Sequence, residues 1–219
     1  MASSISVQRL GVLGSGEVGQ ALAKGFASNG YEVRIGTRTP GKLAKFSKKT
    51  GIAEGRFDQI AAWAEAAVLA VLGKAALEAV KLAGPDNLRG KLVMDTTNPI
   101  SDEPPDDGVL KYFTGPNESL MERLQSAYPE IKFVKVFNSV GSSLMVHPIL
   151  SGGPPTMFYC GNDAGAKAVV EHVIEQFGWE GADMGGVMAA RALEPLAQLW
   201  CIPGFRENDW MHAFRLLRP

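Results

Sequence analysis

Residues 11–19 read GVLGSGEVG, three glycines at the point where an apolar run gives way to a helical pattern. Residues 7–13 are apolar with two polar interruptions and read as a buried strand. Beyond the glycines, Val18, Leu22 and Phe26 recur on one helical face, and Asn29-Gly30 ends the helix. Residues 31–35 form a second strand, so 7–35 has the size of a strand–helix–strand crossover. Within it, Gly14-Ser15-Gly16-Glu17-Val18-Gly19 fits a dinucleotide turn. Gly14 permits the tight turn, Gly16 lets a pyrophosphate approach the backbone, and Gly19 lets helix and strand pack closely. The helix start adds unpaired N–H groups and the positive end of its dipole.

The end of the second strand selects among dinucleotides. A chain that prefers NAD places Asp or Glu there to bind both ribose hydroxyls. Here the position is Gly36, followed by Thr37 and Arg38, with Lys42 and Lys45 one turn further. No carboxylate repels a 2′-phosphate, and an arginine fork suits phosphate oxygens. NADP(H) is the expected cofactor.

The pattern then repeats. Residues 67–72, 91–95 and 132–137 read as strands, and 74–82 and 118–128 as helices. Residues 101–117 carry three prolines and read as a long surface loop. After Asn138 the chain is irregular until a strand at 156–160, a helix at 163–177 with Asp163 as N-cap, and a helix at 186–202. This alternation predicts an α/β fold of Rossmann type, a doubly wound and mainly parallel sheet covered on both faces. Residues 1–140 would form the dinucleotide-binding domain. Residues 141–219 would form a small α/β extension that completes the sheet, the acceptor pocket and a dimer interface.

In an open parallel sheet, ligands bind beyond the carboxyl ends of the strands. The candidates there are Leu72 and Gly73, then Thr97, Asn98 and Pro99, then Asn138 and Val140. Thr97, Asn98 and nearby backbone suit ribose or carboxamide groups. Asp95 suits either a role in the site or the bland task of capping its own loop.

The formal net charge of -1 gives no reason to expect a nucleic-acid or anionic-membrane partner. The start, MASSISVQRL, lacks the apolar core of a signal peptide. The most apolar stretch, 61–84, is interrupted by Glu65, Lys74, Glu78 and Lys81, too broken to span a bilayer. Cys160 and Cys201 form no CxxC pattern and read as small buried apolar residues in a reducing compartment. His147, His172 and His212 lack metal-ligand spacing. A soluble cytoplasmic chain without a metal site is expected.

Several segments together (GSGEVGQALAKGFASNGYEVRIGTR, DTTNP, KVFNSV, PTMFYCGND, FGW and ARALEPLAQLW) carry a more specific likeness. The chain resembles the NADPH-dependent deazaflavin-coenzyme reductases, and their relative, the cytosolic oxidoreductase domain of six-transmembrane metalloreductases. The resemblance implies phosphate contacts from Ser15, Glu17 and Val18, and a 2′-phosphate held by Thr37, Arg38 and Lys42. It also places Val140 beside the nicotinamide, with Asn98 helping to position it. Hydride then passes directly between stacked rings, and no side chain acts as acid or base. Deazaflavin reductases carry a His-Thr-Ile-Pro-like segment where this chain has Asn138-Ser139-Val140-Gly141, and Phe-Asn-Ser-Val is closer to the metalloreductases. The resemblance therefore implies a deazaflavin coenzyme, a flavin or a small organic molecule as electron acceptor.

Two other classes compete. Hydroxyacid and imine dehydrogenases have similar nucleotide domains, but they usually need a larger helical second domain and a catalytic Lys or Asp. A regulatory protein that senses NADPH without turnover would show the same motifs. The 186–202 segment carries Val187, Met188, Leu193, Leu196, Leu199, Trp200 and Ile202, more apolar surface than one buried stripe needs. A homodimer through that helix is expected, as the resemblance also suggests; the alternative is a helix folded back over its own sheet.

Overall fold

The computed structural model describes residues 7–219; residues 1–6, where the stretch read for a signal peptide begins, lie outside them. The expected first crossover is present: β1 (Arg9–Leu13), α1 (Glu17–Ser28) and β2 (Glu32–Gly36). Glu17 in the first turn of α1 complements the helix dipole, and Leu22, Ala23 and Phe26 form its buried face. The helix ends at Asn29, and Gly30 leaves it with φ 88°.

A second series follows: α2 (Ala44–Thr50), β3 (Ala53–Gly55), α3 (Phe57–Trp63), β4 (Ala66–Leu69), α4 (Ala76–Ala83), α5 (Pro85–Leu88) and β5 (Leu92–Asp95). The predicted helix at 74–82 opens with a 3₁₀ turn, Gly73–Ala75. The chain completes with α6 (Leu120–Ala127), β6 (Lys132–Lys135), β7 (Thr156–Gly161), α7 (Ala164–Gln176), β8 (Glu180–Asp183) and α8 (Ala190–Glu207). Asp163 caps α7 as expected, its side chain accepting from the Ala166 N–H. The last helix continues past the predicted stop at 202 despite Pro195 and Pro203 inside it. The loop at 101–117 is shaped by bridges between Ile100 and Tyr112 and between Asp106 and Val109.

All eight strands join one sheet in the order β3-β2-β1-β4-β5-β6-β7-β8. Strands β1 to β6 are parallel, β7 runs antiparallel to β6, and β8 lies parallel to β7. The later elements thus extend the sheet begun by the first crossover. From β1 the chain winds outward through β2 and β3, then returns to the other side of β1 with β4. That reversal opens a crevice at the strand ends between β1 and β4.

Side-chain alternation divides the core into two layers. Leu10, Val12, Val68, Met94 and Val134 face α1 and α7, through Leu22, Phe26, Val170 and Ile174. Leu13, Leu69, Val93 and Phe133 face α3, α4, α6 and α8, through Ile60, Val80, Leu124 and Leu193. Asp95 and Lys135, last residues of β5 and β6, are register partners in the sheet. Among the described residues, no helix is long and apolar enough to cross a membrane.

Candidate functional site

A cleft of about 600 Å³ opens at the switch point, and Gly14, Ser15, Gly16, Glu17 and Val18 form one wall. The three glycines have different reasons to be glycine. Gly14 has φ 144°, and a Cβ there would stand 1.9 Å from the Ala70 carbonyl oxygen. A Cβ on Gly19 would stand 2.2 Å from the Gly14 carbonyl oxygen. A Cβ on Gly16 would meet nothing within 4 Å, so its absence is required by no protein neighbour. Gly16 nonetheless lines the cleft, at the start of the 12-residue helix α1. That open face fits a pyrophosphate approaching unpaired N–H groups.

At the far end of β2, a Cβ on Gly36 would lie 2.6 Å from the Phe57 ring. The ring occupies space that an acidic side chain would need, so packing as well as cofactor choice excludes a carboxylate. Thr37 is buried, and its hydroxyl oxygen accepts from the Thr39 N–H at 3.1 Å, which shapes the loop. Arg38 and Lys42 are exposed and line the cleft. The Glu54 carboxylate accepts from the N–H groups of Gly41 and Leu43 at 3.1 and 2.9 Å, closing this loop against β3.

The opposite end is formed by Leu72, Gly73, Thr97 and Asn98. A Cβ on Gly73 would stand 1.9 Å from the Asn98 carbonyl oxygen, so glycine lets two strand-end loops touch. Asn98 and Asn138 lock together: the Asn98 amide donates to the Asn138 carbonyl at 2.8 Å, and the Asn138 amide donates to Asn98 Oδ1 at 3.0 Å. Of the sequence candidates, Gly19, Pro99, Asn138 and Val140 do not line the cleft. Val140 is only 7% exposed and packs into the core, while the Trp200 ring covers the neighbouring Gly141. Phe137 turns the chain before Asn138 with φ 57°, a left-handed conformation rare for an aromatic residue. Its ring, 5.6 Å from that of Phe177, is held by the core around it.

Beneath this end lies a network that the sequence reading missed. The side chains of Lys135 and Asp95 are 0% exposed and that of Glu194 is 2% exposed. The Lys135 ammonium lies 2.6 Å from Asp95 Oδ2 and 2.9 Å from Glu194 Oε1, and donates to the Thr97 carbonyl at 2.6 Å. The Thr97 carbonyl takes its one hydrogen bond, and the two carboxylates neutralise it as ion pairs, with Asp95 Oδ2 left without a hydrogen bond of its own. Glu194 also accepts from the N–H groups of Leu120 and Met121 at the start of α6, at 2.9 and 3.0 Å. Asp95 Oδ1 accepts from the Thr97 N–H and hydroxyl, at 2.9 and 2.7 Å, so Asp95 does cap its own loop. Burial opposes charge on Lys135, but Asp95 and Glu194 outweigh it and hold the ammonium above its ordinary 10.5. The clue was an Asp and a Lys closing two neighbouring apolar strands; the partner Glu on a distant helix had no local signature.

The histidines stand apart from the cleft. His147 lies in a loop, His172 is exposed on α7, and His212 Nε2 pairs with the Trp200 carbonyl. Burial pushes the Cys160 thiol up to about 12 and Cys201 up to about 11, which disfavours the thiolate at both. Among the described residues, no cluster of His, Cys, Asp or Glu could hold a metal.

A Rossmann sheet with an open-faced glycine turn, and with a basic rim after β2, defines a dinucleotide-binding protein, and its relatives place it among the NADP-dependent oxidoreductases. The model of the family described as "NADP oxidoreductase coenzyme F420-dependent" matches residues 9–99. A solved structure from Arthrobacter sp. FB24, provisionally assigned as an F420-dependent NADP-reductase, is 32% identical. The match covers 97% of this chain and all of that one, with a TM-score of 0.90. The chain belongs to this family. It is also 29% identical over 201 residues to metalloreductase STEAP3 of Rattus norvegicus, covering 89% of this chain but only 38% of that relative's length. A reductive aminase from Aspergillus terreus, solved with NADPH and ethyl levulinate, is 22% identical. There the match covers 91% of this chain and 62% of the aminase, with a TM-score of 0.65, a likeness of fold.

Proposed function

We propose that this oxidoreductase transfers hydride between NADP(H) and a deazaflavin or flavin-type acceptor. The observation that carries the reading is the continuous cleft from the Arg38–Lys42 rim, past Gly16, to Thr97 and Asn98. The backbone at Ser15, Gly16, Glu17 and Val18 binds the pyrophosphate, and Arg38 and Lys42 bind the 2′-phosphate. Thr37 holds the shape of that loop. Leu72, Gly73, Thr97 and Asn98 receive the ribose and carboxamide. Pro99, Asn138 and Val140 support them from behind. When bound, the nicotinamide supplies the hydride, and the acceptor takes its proton from water. The protein contributes proximity and orientation. Lys135, fully buried beneath the cleft, fixes the Thr97 carbonyl and takes no part in proton transfer.

The experiment is NADPH consumption with a panel of deazaflavin, flavin and small carbonyl or imine acceptors, against NADH as control. Faster consumption of NADPH with a deazaflavin or flavin is expected. Consumption only with a carbonyl or imine would move the chain to the dehydrogenase class, and tight binding without consumption would make it a sensor.

The same reading extends to assembly. Leu193 and Trp200 of the 186–202 segment are buried within the chain itself, so the support for a homodimer rests on Met188 and Leu199, 61% and 54% exposed. Light scattering at micromolar concentration should give twice the chain mass; a monomer would refute it.

A further inference from the structure

Parallel pairing of β2 with β3 sets Gly36 beside Gly55, and the Thr37 N–H donates to the Gly55 carbonyl at 3.0 Å. The next residue on β3's side is Arg56, so two arginines, Arg38 and Arg56, leave adjacent strand ends together. They face a second hollow of about 410 Å³, bounded also by Pro40, Phe57, Asp58 and Leu82. Arg56 does not stand free. Its guanidinium makes a two-pronged contact with Asp58, Nε to Oδ1 at 3.1 Å and Nη2 to Oδ2 at 3.0 Å. Both side chains are solvent-exposed, at 69% and 41%.

We infer that Arg56 is a second phosphate-binding arginine, parked on Asp58 until a 2′-phosphate arrives and then transferred to it. The inference rests on the NADP reading above and adds a specificity residue to it. Relative strengths favour the exchange. The Asp58 pair is exposed and holds one negative charge, whereas a 2′-phosphate brings close to two charges and three acceptor oxygens. The phosphate therefore outcompetes Asp58. The cost of release still falls on binding, which makes Asp58 a brake on NADP(H) affinity. The hollow itself, with Phe57, Leu82 and Pro40 among its walls, suits the flat adenine ring that carries the phosphate-bearing ribose.

The test is titration of the whole protein with NADPH and NADH, by calorimetry, for the wild type, R38A, R56A, D58N and R56A/D58N, each checked for folding by circular dichroism. R56A should weaken NADPH binding about 10- to 150-fold and leave NADH nearly unchanged. D58N should tighten NADPH up to about 5-fold, again without effect on NADH, and that gain should vanish in R56A/D58N. The inference is overturned if R38A weakens NADPH selectively while R56A does not. It is also overturned if R56A weakens both nucleotides alike, a loss of adenine packing, or if the D58N gain persists without Arg56. A wild type that does not distinguish NADPH from NADH would sink the NADP reading itself, and the assignment of Arg56 with it.

Discussion

Replacing Lys135 by methionine should lower the unfolding free energy by about 3–5 kcal/mol, because it strands two carboxylates in the core. In a chain of this size that corresponds to a drop in melting temperature of roughly 6–20 °C. Lysine is the hub of the network: its side chain is 0% exposed and lies 2.6 Å from Asp95 and 2.9 Å from Glu194. Removing the charge and keeping the stem separates electrostatics from packing. The triple variant K135M/D95N/E194Q carries no buried charge and should recover part of the lost stability. It should not recover all, because the amide introduced at position 194 can accept from only one of the Leu120 and Met121 N–H groups. If K135M melts with the wild type, the network contributes nothing. The pH dependence has a definite sign. The folded-state pKa of Lys135 lies above the ordinary 10.5, so its contribution is complete below that value. It is lost only as pH rises through the higher folded value. Urea midpoints that fall between pH 8 and 10 in the wild type, and not in the triple variant, would contradict this assignment.

Gly16→Val should abolish NADPH binding in a chain that still folds, whereas Gly14→Val should not fold. The two glycines lie two residues apart in one turn, but a Cβ on Gly14 would collide with the Ala70 carbonyl and one on Gly16 would meet nothing within 4 Å. The side chain at 16 would instead project into the cleft, where the pyrophosphate must approach the backbone. Circular dichroism with calorimetric titration decides the matter. A folded Gly16→Val that keeps the wild-type affinity would show the turn to be structural only.

The parts legible in the sequence were those with long periods or special backbone needs. The glycine turn, α1 and the apolar strands of the central sheet announce themselves because burial on both faces demands unbroken apolar runs. The short elements did not. β3 has three residues and α3 has seven, too few for a period to emerge, and α2 buries none of its residues. β8 reads EGAD with one buried residue of four, as an edge strand does. Missing β3 and α3 hid Arg56, because its place beside Arg38 depends on strand pairing. Glu194 was invisible for a related reason. Its partners, Lys135 and the N–H groups of Leu120 and Met121, lie 59 to 74 positions away and meet it only in the folded chain. Val140, assigned to the nicotinamide by resemblance, is buried in the core cluster and does not line the cleft.

The most direct test of the account is a single-turnover experiment with NADPH deuterated at C4 and an oxidised deazaflavin acceptor, followed from about pH 6 to 8, where histidine titrates. Direct transfer between rings should carry the label into the reduced acceptor without exchange into water. The rate of that step should be nearly flat across the range, since no titrating side chain takes part. Label lost to solvent would contradict the account. So would a steep pH profile abolished by replacing a histidine or Lys74, which follows Gly73 in the cleft wall, since a general acid or base typically contributes about 10²–10⁴-fold and imposes its pKa on the rate.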